Sequence, residues 1–463
     1  MSATREEFRS ESDTMGEVRL PAWAYWGAQT QRAVENFGVS DKRIPPPLIW
    51  ALGLIKRYAA EVNGELGALP SDLAKAIIES AEEVIEGSWN EHFPIDVFQT
   101  GSGTSWNMNA NEVIANRANE LLGSALGTKK PVHPNDHVNR GQSSNDVIPA
   151  AIHIANRQAG ERLLGELREL EKALSAKAAE LSEVIKIGRT HLQDAVPITL
   201  GQEFSGYASQ IRKGTRRLES SFSHLEELAL GGTAVGTGLN AHPRFAPSVI
   251  EKIAKRTGFA FRQAENLFEA LACRDAQAEL MGALSTLAGS LLKIGNDLRL
   301  LASGPRAGLG EITLPSLQPG SSIMPGKVNP VIPEMVIQAA VYVKGKAQAV
   351  SMAAASGPLE LNIMMPLVAY ETLDSLELLA NTCRVFRERC ILGIEADRER
   401  CAEWIEWSLA LVTPLATRIG YDKAAALAYR AYNEKKKVRQ LLQEEKLLDP
   451  EEIERVLDPK SMV

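Results

Sequence analysis

Seven aliphatic residues between positions 280 and 301 follow one another at alternating spacings of four and three. They are Leu280, Leu284, Leu287, Leu291, Ile294, Leu298 and Leu301. Residues three and four apart are neighbours on one face of an α-helix, so the pattern predicts a helix of about six turns. Uncapped amphipathic stretches of this length are typical of long bundles and coiled coils.

Helical periodicity dominates the rest of the chain, and strand-like alternation is scarce. Two further apolar faces share the spacing of threes and fours: Leu163, Leu167, Leu170, Leu174 and Leu181, and then Ile211, Thr215, Leu218, Phe222 and Leu225. Helices are also predicted at about 333–355 and 366–392. Stretches with proline and glycine are predicted to be loops, at 188–201, 231–245, 304–333 and 356–366.

These patterns predict a mainly all-α protein in three domains. A mainly helical N-terminal domain covers residues 1–140, a central bundle of about five long helices covers 141–365, and a small helical C-terminal domain covers 366–463. Bundle helices this rich in apolar residues often bury a second face, which favours an oligomer.

Composition and charge exclude several functional classes. The 463-residue chain is 44% hydrophobic and 24% charged, which is ordinary for a globular protein. Its net charge of −7 argues against a nucleic-acid surface, which usually needs a basic stripe. No apolar run approaches transmembrane length, and the segment MSATREEFRSESD resembles neither a signal nor a transit peptide. The four cysteines form no CxxC pair, so we expect reduced thiols and a cytoplasmic protein.

The segment GSSIMPGKVNPVIPE, residues 320–334, places two serines, a lysine and an asparagine in one loop. Prolines at 319, 325 and 330 break any helix, and Pro333 stands where a new helix can start. Backbone N–H groups and Lys327 favour a negatively charged ligand, and the hydroxyl groups can lie beside a reacting atom. Composition alone leaves a polar surface connector as an open alternative.

Two other segments carry groups suited to a carboxylate. Ser143, Ser144 and Asn145 stand at a predicted helix start, where they face the partial positive charge of the helix N-terminus. Helix capping is the alternative interpretation. The GSGT run at 101–104 lacks the third glycine and the leading strand of a dinucleotide fingerprint, so it predicts a tight turn.

Histidines supply the remaining candidates. His191 follows Thr190 at the end of a long predicted helix, in a predicted loop, where it is either an acid–base group or a structural residue. The four-residue spacing of His133 and His137 hints at a metal pair. Pro134 disfavours a regular helix there, and the sequence offers no evident third ligand, so no metal site is predicted.

Five segments together resemble the fumarase/aspartase superfamily, and class II fumarases above all. They are the 320–334 loop, DVFQTGSGTSWNMNANEVIANRA from Asp96, VHPNDHVNRGQSSND from Val132, GRTHLQDAVPITLGQE from Gly188 and GGTAVGTGLNAHP from Gly231. The resemblance covers nearly the whole chain. It implies the superfamily fold and a homotetramer with the bundles packed at its centre.

The resemblance also implies roles for particular residues. Ser321 is the base that removes a proton from carbon, His191 is the acid, and Glu334 is the carboxylate partner of His191. The implied substrate-binding set is Ser102, Thr104, Ser143, Ser144, Asn145, Thr190, Ser322, Lys327 and Asn329. The HPND turn, with His133, Asn135 and Asp136, matches a second, non-catalytic carboxylate site.

The reaction so implied is the reversible anti addition of water to fumarate, which gives L-malate through an aci-carboxylate intermediate without a cofactor, as in the tricarboxylic acid cycle. Ser102, the paired serines before Asn145 and Gly326 favour fumarase. The VIPE run after Pro330 resembles aspartases, and Trp106 departs from the residue usual in fumarases. Aspartate ammonia-lyase, and a structural protein without activity, are the alternatives.

Helix length bears on how such a site is assembled. The helix that starts near Asn145 is predicted to run to about Lys186, or roughly 50–60 Å at about 1.5 Å per residue. Thr190 and His191 follow its far end, and a four-carbon substrate cannot touch both ends. If both ends serve one site, different chains packed in opposite directions must supply them.

Overall fold

The computed structural model describes residues 7–463 and is mainly α-helical, as predicted. The first six residues of the acidic N-terminal segment lie outside the described residues. The α-helices are α1 (Ala28–Asn36), α2 (Pro46–Glu65), α3 (Ser71–Ile85), α4 (Thr104–Leu121), α5 (Ser144–Glu180), α6 (Leu200–Leu225), α7 (Phe245–Thr257), α8 (Leu267–Ala272), α9 (Asp275–Leu301), α10 (Val331–Ala354), α11 (Met365–Arg389), α12 (Arg398–Trp407), α13 (Val412–Ile419), α14 (Tyr421–Glu434), α15 (Val438–Glu445) and α16 (Pro450–Val456).

The β-structure consists of short pairs of strands. The strands are β1 (Phe8–Asp13), β2 (Gly16–Pro21), β3 (Ile185–Thr190), β4 (Gln193–Thr199), β5 (Glu227–Leu228), β6 (Arg262–Gln263), β7 (Ile312–Thr313) and β8 (Glu395–Ala396). Pairs β1–β2, β3–β4 and β7–β8 are antiparallel, and β5–β6 is parallel. Within residues 7–463, no helix is both long and apolar enough to span a membrane.

Among residues 7–463, five helices are much longer than most of the others; four of them lie within the range 141–365 predicted for the bundle, and the fifth, α11, begins at its end. They have 37 residues in α5, 26 in α6, 27 in α9, 24 in α10 and 25 in α11. The seven aliphatic residues of the four-and-three repeat all lie on α9, and each is at most 5% exposed. The repeat therefore marks the buried face of that helix, as its spacing predicts.

The chain divides into two compact units. Unit 1 contains residues 7–164, 216–286 and 342–379, and its apolar core joins α2, α3, α4 and α7. Unit 2 contains residues 165–215, 287–341 and 380–463; its C-terminal helices α12–α16 bury an apolar cluster that includes Leu411, Leu415 and Leu441. The division into three domains at about residues 140 and 365 stays a prediction.

One predicted loop was wrong. Residues 188–201 were expected to be irregular, but β3 and β4 form a hairpin there, and α5 ends at Glu180 and not near Lys186. Valine, isoleucine and threonine are frequent on both strands, and such residues favour strands. The two-residue turn is His191–Leu192, with φ of 55° and 60°. Hairpin turns with positive φ usually carry asparagine or glycine, so no turn signal is present in the sequence at this point.

Candidate active site

The GSGT turn and the start of α5 meet through their hydroxyl groups in unit 1. Gly103 has φ of +70° and leads directly into α4, which is a conformation that favours glycine. The Oγ1 atom of Thr104 lies 2.8 Å from Ser102 Oγ and 2.9 Å from Ser144 Oγ. Three of the predicted substrate-binding residues, from two separate segments, therefore form one continuous hydrogen-bonded chain.

Ser143 and Asn145 complete this group, and their contacts bear on the two interpretations of the segment. Ser143 Oγ accepts a hydrogen bond from the Asn145 backbone N–H at 3.2 Å, so Ser143 does act as a local cap. The Asn145 side chain instead donates from Nδ2 to the Ala234 carbonyl at 2.8 Å. The Ser144 side chain likewise bonds a side chain outside the helix, that of Thr104. The side chains of Ser144 and Asn145 therefore do not cap the helix. We call Ser102, Thr104, Ser143, Ser144 and Asn145 the hydroxyl–amide cluster.

Trp106 forms no exposed surface beside this cluster. It is fully buried and belongs to the apolar core of unit 1. Trp106 therefore packs behind the GSGT turn.

The HPND segment forms a short π-helical turn, Pro134–Val138. His133 Nδ1 accepts backbone N–H bonds from Asn135 and Asp136, each at 3.2 Å, and His137 Nδ1 accepts the His133 N–H at 2.8 Å. A nitrogen that accepts such bonds carries no proton, so Nε2 holds the proton in each ring. The 3.4 Å contact of His133 Nδ1 with Asp136 is for the same reason not an ion pair.

Buried charges fix the β3–β4 hairpin of unit 2. Glu311 is fully buried and forms ion pairs with Arg189 at 2.8 Å and Lys186 at 3.3 Å, both of which lie on β3. Lys186 also contacts Glu203 at 3.2 Å. The hairpin tip is exposed, and it presents Thr190 and His191 to solvent. Positive φ at His191 and Leu192 is unusual for residues with a side chain, and strain of this kind is often found at functional sites.

The 320–330 loop of unit 2 is closed at its base by its own backbone. The Gly320 N–H donates to the Lys327 carbonyl at 2.8 Å, and Asn329 Nδ2 donates to the Gly320 carbonyl at 2.7 Å. A Cβ atom at position 320 would lie 2.6 Å from the Lys327 carbonyl oxygen, so only glycine fits this closure. Ser322 and Lys327 are exposed.

Ser321 receives two backbone donors in this loop. Its Oγ accepts the N–H groups of Met324 at 2.9 Å and Ile323 at 3.2 Å. Ser321 and Lys327 also line one concavity of about 420 Å³. Hydrogen bonds to an oxygen favour its ionised form, and a nearby cation acts in the same direction. The loop therefore has the elements needed to stabilise a serine alkoxide.

The predicted site residues thus fall into two groups on one chain. The hydroxyl–amide cluster belongs to unit 1, and Thr190, His191, Ser321, Lys327 and Glu334 belong to unit 2. Glu334 lies in the first turn of α10, as predicted. Across residues 7–463, no three His, Cys, Asp or Glu side chains converge as metal ligands.

Two buried charged residues near the hydroxyl–amide cluster were missed in the sequence. Lys56 is fully buried on α2, and Asp146 is fully buried in the first turn of α5. A signal for Lys56 existed, since it stands within the largely apolar run LIWALGLIKRYAA. Charged residues are almost never fully buried without partners, so a lysine in such a run deserved to be counted as a candidate.

Comparison with known proteins identifies the family of the chain. The sequence matches the family described as Lyase over residues 16–345 and the one described as Fumarase C C-terminus over residues 411–463. It is 52% identical to a class II fumarate hydratase of Methylorubrum extorquens across 99% of this chain and 97% of that protein. A class II fumarate hydratase of Thermus thermophilus is also 52% identical, with 98% of each chain covered.

The structural comparison gives the same result. A solved class II fumarase from Schistosoma mansoni has a TM-score of 0.95 and 40% identity, and the match covers 98% of this chain and 99% of that one. Fold and sequence together define a lyase with the mainly helical fumarase architecture. More narrowly, the chain belongs to the class II fumarate hydratase family.

Proposed function

We propose that this protein catalyses the reversible hydration of fumarate to L-malate, without a metal or an organic cofactor. The observation that carries the proposal is the Ser321 hydroxyl, which accepts two backbone N–H bonds in an exposed loop and shares a concavity with Lys327. A carbon-bound proton beside a carboxylate is a weak acid, and its removal needs a strong, positioned base. A serine alkoxide stabilised in this way meets that requirement.

The reaction from malate to fumarate then proceeds in two steps. Ser321 takes the proton from the carbon beside one carboxylate, and the electron pair moves onto that carboxylate to give the aci-carboxylate. The pair then forms the double bond as the C–O bond to the hydroxyl breaks. His191 protonates the departing hydroxyl, directly or through a water molecule, so that water leaves. Hydration runs through the same steps in reverse.

Negative charge that develops on the carboxylate oxygens must be stabilised as it forms. Lys327, Asn329 and Ser322 supply a cation and hydrogen-bond donors from the 320–330 loop. The hydroxyl–amide cluster and Thr190 bind the other polar groups of the substrate, and Glu334 orients the His191 imidazole. Closure of the loop over the substrate would exclude water from the intermediate.

Turnover assays with the metal-free protein test this function. Chelator-treated protein should consume fumarate in plain buffer, which is followed as loss of fumarate absorbance, and should form fumarate from L-malate. The VIPE run at 331–334 makes ammonia the informative second nucleophile. Protein that is inert with fumarate alone and active once ammonia is added would be an aspartase.

We further propose that the protein is a homotetramer whose active sites combine residues from different subunits. The 37 residues of α5 span roughly 55 Å at about 1.5 Å per residue. Asn145 lies in the first turn of this helix, whereas Thr190, the last residue of β3, and His191 come after the end of the helix in the chain. Neighbouring chains that pack in opposite directions would bring these two ends together.

Hybrid enzymes test the shared site. Asn145→Ala and His191→Ala proteins should each be nearly inactive, and activity should return when the two are unfolded and refolded together. Some sites in the mixed assemblies then carry both defects and others carry neither. Hybrids that remain inactive, although mixed assemblies are detected by mass, would contradict the sharing or the need for one of the two residues.

The proposed compartment is the cytoplasm.

The HPND turn remains a proposed second carboxylate site. The tautomers of His133 and His137 leave an Nε2–H on each ring, and such a group can donate to a carboxylate. Asn135 and Asp136 are exposed, so a small anion can reach this turn.

A further inference from the structure

A buried ammonium group connects the two segments that carry the hydroxyl–amide cluster. Lys56 Nζ donates to Asn107 Oδ1 at 2.8 Å, to Gln142 Oε1 at 2.9 Å and to Asn139 Oδ1 at 3.0 Å. These three acceptors match the three N–H bonds of a protonated lysine. All three are neutral amides, so the contacts fix geometry without neutralising the charge.

The partners of Lys56 lie next to cluster residues in the chain. Asn107 is one turn after Thr104 on α4, and Gln142 immediately precedes Ser143. Asn139 adds a second link between the segments, because its Oδ1 also accepts from Asn107 Nδ2 at 3.1 Å. One ammonium thereby cross-links the two segments whose hydroxyls meet at Thr104 and Ser144.

A buried anion holds the other side of the cluster. Asp146 Oδ1 accepts the Ser143 N–H at 2.9 Å, and its Oδ2 accepts the N–H groups of Gly231 at 2.9 Å and Thr233 at 3.0 Å. The Ala234 carbonyl that receives the Asn145 amide follows directly in that loop. Residues 143–145 are therefore fixed between a buried cation and a buried anion.

Burial makes both charges costly. It lowers the pKa of Lys56 to about 7, although the charge of Asp146 opposes the shift. It also raises the pKa of Asp146. An apolar side chain of similar size would fill the space of Lys56 without the cost of desolvating an ammonium. What the ammonium adds is the fixed geometry of the segments around it.

We propose that Lys56 is a positioning residue for substrate binding: it holds Thr104 and Ser143–Asn145 so that their hydroxyl and amide groups meet one carboxylate together. Asp146 fixes the same segment from the opposite side. The inference rests on the proposed function, since it assigns that carboxylate to a four-carbon dicarboxylate. Lys56 itself does not touch the substrate and acts through the residues that it holds.

Binding of succinate to Lys56→Met protein tests the proposal. Succinate has the two carboxylates of the substrate but no group that reacts, so its Kd reports binding alone. Loss of an outer supporting group at metal sites costs about 10–100-fold in affinity, and we expect a Kd increase in that range. Titration calorimetry on the folded protein measures this Kd separately from the Tm.

Lys346→Met is the matched control. Lys346 is only 6% exposed in unit 1 and pairs with Glu371 and Asp374, so its loss also removes a buried ammonium. It contacts no cluster residue, and its Kd for succinate should equal that of the wild type even if the Tm falls. An effect on Kd shared equally by both variants would reduce Lys56 to a general structural role and overturn the proposal.

Gln142→Leu covers the case in which Lys56→Met does not fold. It keeps Lys56 but removes one of its three acceptors, and we expect a smaller increase in the succinate Kd. An unchanged Kd in Lys56→Met, or in Gln142→Leu where only that variant folds, overturns the positioning role. Fumarate hydration by the wild type is measured in parallel, so a failure of the proposed function is recognised by its own readout.

Discussion

The hydroxyl–amide cluster and the 320–330 loop are both predicted to contact substrate, yet they are built in opposite ways. The cluster is held by Lys56 and Asp146, both fully buried, and by hydrogen bonds that reach three separate segments. The loop is exposed from Ser322 to Val328, and the hydrogen bonds that shape it run within the loop itself.

This difference indicates that the cluster and the loop have separate tasks. A network of buried, satisfied polar groups is rigid and can hold a carboxylate in a preformed position. An exposed segment with few buried contacts opens at low free-energy cost, and lids and binding loops are drawn from such regions. The preformed cluster would therefore bind and orient the substrate, and the loop would close afterwards with the base that carries out the chemistry.

The largest expected effect is on the loop side. Ser321→Ala removes the proposed base, so kcat should fall by about 10²–10⁴-fold, the usual contribution of acid–base catalysis, while KM changes little. Ser316→Ala is the matched control, because Ser316 lines the same concavity and the substitution removes the same hydroxyl group. Steady-state kinetics of both variants suffice. A near-normal kcat in Ser321→Ala would contradict the catalytic role of the loop. The proposed difference in function between the loop and the hydroxyl–amide cluster would then fail.

A second prediction concerns motion. Amide hydrogen exchange should be fast over residues 321–328 in the free protein and should slow markedly when succinate is added. Residues 144–148 should exchange slowly in both states, because buried groups already fix the start of α5. Peptides from residues 123–128, an irregular segment of exposed and partly exposed residues, serve as a control that succinate should not protect. Equal protection of both regions without ligand would mean that the loop is also preformed.

The sequence predicted the features that depend on local order. The repeat from Leu280 to Leu301 predicted α9, because the side chains that pack together lie three or four positions apart. The 320–330 loop is likewise shaped by neighbours in the chain, since Ser321 is contacted by the N–H groups of residues two and three further on. The roles proposed for its residues come from the resemblance to the fumarase/aspartase superfamily. Prolines and glycines limited that segment to a loop.

What the sequence did not predict depends on residues far apart. Lys56 reaches acceptors 51 and 86 positions away, and Asp146 reaches a donor 85 positions away, so neither environment is visible before the helices pack. The β3–β4 hairpin was missed for a local reason, since His191–Leu192 adopts positive φ without glycine or asparagine. Pro197 within β4 further obscured the strand, although an edge position tolerates proline.

The smallest expected effect concerns stability, and it tests whether burial lowers the pKa of Lys56. Burial lowers the pKa of Lys56 from 10.5 to about 7. Between these two values the unfolded chain binds more protons at this group than the folded chain does, so its contribution to the unfolding free energy rises with pH. Raising the pH from about 7 to about 9 should therefore stabilise the wild type relative to Lys56→Met. A change of about 1 kcal/mol in the unfolding free energy shifts the Tm by roughly 2–4 °C in domains of this general size. We therefore expect the Tm of the wild type to rise by a few degrees relative to that of Lys56→Met.

Lys346 has a pKa shift of the opposite sign and serves for comparison. Burial alone would lower its pKa, but hydrogen bonds to Asp374 and Glu371 outweigh burial and raise it. Its stabilising contribution is fully present below the unfolded value of 10.5 and is lost only as pH rises through the higher folded value. The Tm difference between wild type and Lys346→Met should thus stay constant between pH 7 and pH 9, while that for Lys56→Met grows. Parallel curves for the two variants would mean that burial does not lower the pKa of Lys56.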